Sequence, residues 1–494
     1  MHTLQIHQNG VLTLATFEGP KKLQEILIEN GILPDHPCGG RGTCGKCKVM
    51  LEGSVSAPNE AEQKAGHRLS CQAMILGDAR VWLADTQENR IELSGDEIAA
   101  EHICAASGIG AAVDIGTTTL ALKLYDLQNG RILGESAAMN PQRSISADVM
   151  GRIGAALEGQ AQQLQQQIRQ AIESLLQQAC TQAGVSRDAV TALVVTGNTT
   201  MLYLLTGRNP EPLSHAPFEA DWLFGEQTQL LGIPVYYPPC MNAFVGADIT
   251  CAVAAARMHQ SQQTSLLCDI GTNGEIALWK EGKLYVTSTA AGPAFEGAGI
   301  SCGCGSVDGA VDKVWVEDSQ VKIHTIGEKP AVGICGSGLI DAIAAFLEIE
   351  EIDETGAMEE DELILAETVA LQPQDVRAVQ LAKAAIAAGI QTLLAVSGTE
   401  EAEITTLYIA GGFGSHLNVH SAATIGLIPE SLVSRVKILG NAALTGATAV
   451  LLNPGRKEEL AQLARNTTHV NLGGNPQFNQ LYMENMLFGL DDFM

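Results

Sequence analysis

The sequence predicts a small α+β unit followed by a larger α/β unit of two lobes. Three observations predict it. The first 85 residues read as hairpin, helix, loop and further strands. A strand running into a glycine turn, Asp-Ile-Gly-Thr, occurs at Asp114 and again at Asp269, 155 residues on. A third strand, Thr406-Leu-Tyr-Ile, runs into the glycine turn Ala410-Gly411-Gly412-Phe413-Gly414-Ser415. The 494 residues are too many for one core and imply about three packing units. With 46% hydrophobic and 17% charged residues, the chain has the composition of a globular protein rather than a disordered one.

Residues 3–17 alternate as two strands about Gln8-Asn9-Gly10, because an Asn-Gly pair tolerates the positive φ of a tight hairpin. A helix is expected from Pro20 or Lys21 to Asn30, ended by Gly31, with Leu23, Ile26 and Leu27 on one face. Lys48-Val-Met-Leu and Arg80-Val-Trp-Leu supply further strands. The predicted unit, residues 1–85, is a compact sheet with one helix across it.

Between helix and strand lies Cys38-Gly-Gly-Arg-Gly-Thr-Cys44-Gly-Lys-Cys47, with Cys71 further on. Clustered thiols in a long chain without a disulfide-rich pattern point to metal ligation, and the other cysteines to buried small hydrophobes. Glycines let a loop wrap closely about an iron-sulfur cluster, and Gly39, Gly40, Gly42 and Gly45 meet that need. A structural zinc site is the alternative for four thiolates, but such sites usually pair two Cys-x2-Cys knuckles. Here three cysteines share one loop. The spacing Cys-x5-Cys-x2-Cys with a distant fourth cysteine resembles the branch of 2Fe-2S ferredoxins that includes the vertebrate type. The resemblance implies a ferredoxin-like β-grasp domain, with Cys38, Cys44, Cys47 and Cys71 as cluster ligands.

Residues 86–108 read as a linker, 109–245 as a first lobe, 246–455 as a second, and 456–494 as a C-terminal segment packing on the lobes. Two facing hairpins can grip a polyphosphate through glycine N–H groups and threonine hydroxyls, and each presents an acid to magnesium or its waters. The candidates are Asp114, Gly116, Thr117 and Thr118 in the first turn and Asp269, Gly271, Thr272 and Asn273 in the second. Gly411, Gly412, Phe413 and Ser415 form a turn on which a nucleoside can lie, with helix N–H groups beyond. With Thr196-Gly-Asn-Thr-Thr-Met and Gly440-Asn-Ala-Ala-Leu-Thr-Gly-Ala447, the order of loops resembles the nucleotide fold of sugar kinases, acetate kinase, actin and the heat-shock chaperones. That resemblance implies a two-lobed actin-like ATPase fold with duplicated phosphate-binding hairpins, binding ATP with Mg2+.

Asp248 lies 21 residues before Asp269, where a carboxylate could take a proton from a hydroxyl or orient water; a helix N-cap would also explain it. Glu275 could reach magnesium or water, or face solvent on its strand. These two are the catalytic candidates. Glu296 is the one acid in the glycine-dense loop Gly292–Cys304, which reads as a functional loop. Cys302 and Cys304 are expected to be structural, and His416 and His420 are given no metal role. The acidic run 348–362 is a solvated edge or a docking surface.

A net charge of -27 disfavours nucleic acid and anionic membrane and would steer a basic protein partner. The N-terminus has no basic n-region or apolar h-region, and a cytoplasmic protein is expected. As a whole the chain resembles the reductive activators of corrinoid-dependent methyltransferases and corrinoid iron-sulfur proteins. The cysteine set, Val113-Asp-Ile-Gly-Thr-Thr, Thr196-Gly-Asn-Thr-Thr-Met, Gly292-Pro-Ala-Phe-Glu-Gly-Ala and Ala410-Gly-Gly-Phe-Gly-Ser carry the likeness. It implies an ATP-hydrolysing electron-transfer protein of anaerobic metabolism that takes one electron from a low-potential donor protein and returns the Co(II) corrinoid of a partner to Co(I). No Asp-x-His-x-x-Gly occurs, so the cobalt belongs to the partner. The length leaves little room for a separate middle domain, and a homodimer is left open. The alternatives are a small-molecule kinase with a fused redox-sensing ferredoxin domain and an ATP-dependent activator of a different low-potential enzyme.

Overall fold

The computed structural model describes every residue except 33, 35, 37–39, 43–44, 85–90, 92, 96–102, 105, 413, 490–494 and the side chain of Ser415. The chain divides into two compact units, one from residues 1–88 with 140–168, the other from 89–139 with 169–494.

In the first unit, β1 (His2–Gln8) and β2 (Val11–Phe17) pair antiparallel about Asn9 and Gly10, at φ 50° and 72°, as the Asn-Gly pair predicts. Lys21–Lys22 form a short strand β3 on Ile75 and Met74, so α1 begins only at Leu23 and ends at Glu29. Pairing with the sheet takes the two residues that the helix pattern claims. The face Leu23, Ile26 and Leu27 is buried as expected. After the cysteine loop come β4 (Lys48–Val55), α2 (Glu60–Ala65), β5 (Arg68–Leu69) and β6 (Met74–Leu83). The order is β2-β1-β6-β4-β5, with β6 central and α1 across the sheet.

Residues 140–168, within the span expected for the first lobe, belong to this unit. They comprise a 3-10 turn (Pro141–Ser144), α3 (Val149–Ala155) and the start of α4 (Ala161–Ala183). Arg152 is fully buried and donates to the Ser146 carbonyl at 2.9 Å and Gln142 Oε1 at 3.3 Å. The Ser144 carbonyl accepts from Gln24 Nε2 and His36 Nδ1, both at 3.2 Å, and so ties the segment to the first 88 residues.

The second unit contains two six-stranded sheets of repeated topology. In one, the meander β7 (Ile109–Ile115), β8 (Thr119–Asp126) and β9 (Ile132–Met139) continues through β10 (Val190–Gly197), parallel to β7, and on to β11 (Glu226–Leu230) and β12 (Ile233–Tyr237). α5 (Thr199–Thr206) follows β10, and α6 (Ala247–Ala255) follows β12. The other repeats the meander as β13 (Ser265–Ile270), β14 (Gly274–Lys280) and β15 (Lys283–Thr289). A small sheet, β16 (Ala310–Glu317), β17 (Gln320–Thr325) and β18 (Gly333–Ile334), leads to α7 (Gly336–Glu348), the hairpin β19 (Leu363–Ala366) and β20 (Val369–Leu371), and α8 (Pro373–Ser397). β21 (Thr406–Ala410) lies parallel to β13, and β22 (Val436–Gly440) is beyond it. α9 (Val419–Thr424) lies between them, and α10 (Ala442–Leu452) follows. The chain continues through α11 (Arg456–Arg465), β23 (Thr467–His469) on β15, and α12 (Pro476–Glu484) against α8. Among the described residues α8 alone is long and apolar enough to cross a membrane, and 78% of that stretch is buried, which marks it as a core helix. Residues 85–90 and 96–102, which make up much of the expected linker, lie outside the described residues.

Candidate functional site

Two sites can be built, one in each unit. In the first unit, Cys47 and Cys71 converge with their sulfurs 3.3 Å apart. The Ser70 N–H donates to the Cys47 carbonyl at 2.9 Å and fixes this approach. The Cys71 thiol beside it, then the His36 and Ser70 groups, outweigh burial and pull the Cys47 thiol down to about 4. A cysteine so placed is a thiolate, the form that binds metal. Gly40, at φ 75°, lies where a Cβ would come 3.8 Å from Cys71 Cβ, so its backbone is in contact range of the site. Buried His36 places Nε2 3.0 Å from Ser70 Oγ; because its Nδ1 faces a carbonyl, Nδ1 carries a proton. Cys38 and Cys44 lie outside the described residues. The donor set present, an ionised thiolate with a second sulfur beside it in a glycine cradle, fits an iron-sulfur cluster.

In the second unit, the turns after β7 and β13 are brought together. Thr118 Oγ1 and Thr272 Oγ1 lie 3.3 Å apart. Thr117 Oγ1 accepts from Asn198 Nδ2 at 2.9 Å, a link from the first hairpin to the start of α5. Register places Thr196 beside Asp114 and Ala410 beside Asp269, so each acid ends a strand next to a parallel neighbour. The backbone at Gly411, φ 93°, passes so near that a Cβ would be 2.6 Å from Asp269 Oδ1. Gly412 continues this turn; Phe413 and the Ser415 side chain lie outside the described residues.

Four acids share this space. Burial pushes Asp114 up to about 6, offset by Asn441 Nδ2, which donates to its Oδ2 at 3.0 Å. Burial and then the Asp114 charge raise Asp269 to about 7. Burial, Asp114 and Asp269 raise Asp248 to about 8. Burial, then Asp248 and Asp269, push Glu275 well above the carboxylate range. Glu275 is 8% exposed, which sets aside a solvent-facing position on its strand. Asp248 is in the first turn of α6, whose N-cap is Gly246, and its Oδ1 accepts from the Ile249 N–H at 2.8 Å. Among the described residues no three acids, histidines or cysteines converge closely enough to hold a bare ion. Oxygen donors spaced this way suit magnesium that keeps its waters. Gly271 and Asn273 close the second turn, where the Gly271 N–H donates to the Asn273 carbonyl at 3.0 Å.

In the sequence Glu296 stands only as part of a functional loop. In the fold its Oε2 accepts from Thr118 Oγ1 at 2.6 Å and from Thr272 Oγ1 at 2.9 Å, which places it between the two hairpins. Asn198 and Asn441 each read locally as one more helix cap, so sequence alone does not single them out. From Gly411 the chain runs through α9 to a cavity of about 910 Å³ whose lining includes Val314, Asp341, Ala345, Asn418, His420 and Ser421. Asp341 is 4% exposed; burial pushes its carboxyl up, offset in part by the nearby Ser421, the Val314 N–H and Asn418.

Family descriptions match the whole architecture: "2Fe-2S iron-sulfur cluster binding domain" over residues 6–76, "RACo middle region" over 109–261 and "C-terminal domain of RACo the ASKHA domain" over 263–493. The middle region falls on the stretch read as the first lobe. The chain is 34% identical to the corrinoid activation enzyme RamQ of Eubacterium limosum, over 77% of this chain and 70% of that one. It is 25% identical to the [Co(II) methylated amine-specific corrinoid protein] reductase of Methanosarcina barkeri, over 76% of each. A solved structure titled reductive activator for corrinoid,iron-sulfur protein superposes with a TM-score of 0.72 at 26% identity, covering 99% of this chain and 98% of that one. The fold is a ferredoxin-type domain followed by an actin-like ATPase, as the motifs predict.

Proposed function

We propose, because this chain belongs to the family of corrinoid reductive activators, that it couples ATP turnover to the reduction of a partner protein's Co(II) corrinoid to Co(I). The observation that supports this reading is that two glycine-threonine turns meet in one unit and two cysteine sulfurs suited to a 2Fe-2S cluster converge in the other, on one chain. Cys38, Cys44, Cys47 and Cys71 would hold the cluster, which supplies one electron at a time. The remaining work is done by residues of the second unit. Gly116, Thr117, Thr118, Gly271, Thr272 and Asn273 receive the phosphates, while Asp114 and Asp269 meet magnesium through its waters. Asp248, raised to about 8, is the group that orients and deprotonates the attacking water, with Glu275 behind it. Gly411, Gly412, Phe413 and Ser415 carry the nucleoside towards the cavity containing Asp341, whose carboxyl can accept an exocyclic amine.

Reduction of Co(II) to Co(I) lies below even the roughly -400 mV of plant-type 2Fe-2S clusters, so the transfer is uphill. Each 59 mV lowers the equilibrium about tenfold for one electron. Nucleotide binding and hydrolysis supply that work by changing how the activator holds its partner. A low-potential donor protein reloads the cluster. The expected setting is the cytoplasm, and a homodimer fits the same reading.

The test follows ATP turnover and the Co(I) absorbance band with anaerobically purified, cluster-loaded protein and a Co(II) corrinoid protein. Co(I) that forms only with ATP and reductant supports the proposal. Phosphorylation of a small molecule in its place would identify a kinase, and an inert corrinoid partner would point to another low-potential enzyme.

A further inference from the structure

We infer that Glu296 is a clasp across the two phosphate hairpins which an entering polyphosphate must displace, an inference that rests on the nucleotide reading above. Each threonine hydroxyl has one proton to donate. Thr118 and Thr272 both give theirs to Glu296 Oε2, at 2.6 and 2.9 Å. Phosphate oxygens accepted between the hairpins would need those same two protons. The competition is also electrostatic, because a carboxylate and a phosphate facing the same hydroxyls repel at short range. Binding a polyphosphate therefore exchanges the Glu296 bonds for phosphate bonds and drives the carboxylate away.

Glycines flank the clasp on both sides. Glu296 ends the 3-10 turn Ala294–Glu296, and Gly292, Gly297 and Gly299 about it take φ of 80°, 75° and 82°, conformations glycine adopts without strain. On one side the Gly292 N–H is held by the Thr272 carbonyl at 3.0 Å, so the loop stays tied to the second hairpin. On the other, Ser301 donates through N–H and hydroxyl to Asp375 Oδ1 at 2.8 and 3.0 Å. Asp375 is fully buried in the first turn of α8. Beyond the buried Ile300, Ser301 thus joins the clasp segment to the first turn of the long core helix.

The test uses full-length, cluster-loaded protein and metal-free ATP in EDTA, which isolates the phosphate from magnesium. E296Q keeps the shape and removes the charge; it should bind metal-free ATP about tenfold more tightly than the native chain. Amide hydrogen exchange supplies the second readout. ATP should speed exchange over residues 294–301 in the native protein, and E296A should exchange that fast with no nucleotide added. Equal or weaker binding by E296Q, or native exchange that ATP leaves unchanged or slows, would overturn the clasp while leaving the nucleotide site standing. Failure of every form to bind ATP, with or without magnesium, would remove the nucleotide reading and the clasp together.

Discussion

Asp248 is pushed to about 8 by burial and by Asp114 and Asp269, which themselves rise to about 6 and 7. These acids bind protons more tightly in the fold than in the unfolded chain. Between about pH 4 and the folded values the native state therefore holds more protons, and stability falls as pH rises through that window. Under the proposed role of these acids, magnesium nucleotide needs them ionised, so its binding should strengthen over pH 6 to 8 and release protons. Calorimetry in two buffers of different ionisation enthalpy would measure the release; none at pH 7 would contradict the assignment. Asp248→Asn should cut ATP turnover by about 10²–10⁴-fold with nucleotide affinity nearly kept, and should flatten the fall in melting temperature with pH. In the other unit, Cys71→Ser should abolish the cluster's visible absorbance without loss of ATP binding, as measured by titration of the same sample. The repeated Asp-Ile-Gly-Thr makes Asp114 and Asp269 legible in the sequence alone. Glu296 stands out there as a lone acid among glycines, but its bond to Thr118 spans 178 residues, and no local pattern carries a contact of that range.

The hairpin β7–β8 and its repeat β13–β14 are readable because a buried strand, a glycine turn and an alternating strand leave the same trace twice. The start of α1 is not, because Lys21 and Lys22 suit a helix locally and are captured by β6 only once the sheet exists. The same holds for residues 140–168, whose grouping depends on the Ser144 carbonyl reaching Gln24 and His36. Glycines at element ends offer the sharpest tests, since there the backbone leaves no room for a side chain. At Gly246, which caps α6, a Cβ would stand 2.4 Å from Asn198 Cα, so the helix carrying Asp248 is seated directly on the β10–α5 turn. At Gly411 a Cβ would meet Asp269 Oδ1 at 2.6 Å, on backbone already at φ 93°. Gly411→Ala should destabilise by about 1–3 kcal/mol and weaken nucleotide binding several-fold, because the turn can relieve the contact only by lifting off the acid. Thermal denaturation and nucleotide titration would check both. An unchanged affinity would detach this turn from the site.

For the molecule as a whole, the charge balance makes a prediction that no single site makes. Acids outnumber Lys and Arg by 56 to 29, leaving a net charge of -27. Much of that excess is on the surface, as in the exposed acids of residues 350–362. Fields of this size raise the rate of encounter with an oppositely charged protein by roughly 10–10³-fold at low salt. Ions screen exposed charges over about 10 Å at 0.1 M and about 3 Å at 1 M. An electron activator has to find and leave its corrinoid partner repeatedly, so a steered, weakly held encounter suits the task better than a permanent interface. The association rate with a corrinoid protein that presents a basic face should therefore fall about tenfold or more between 0.05 and 0.5 M salt, while dissociation changes much less. Stopped-flow mixing at several salt concentrations separates the two rates. A flat association rate would mean that the acidic surface keeps the chain dispersed and that recognition rests on shape, and the search for the docking face would then move to apolar surface.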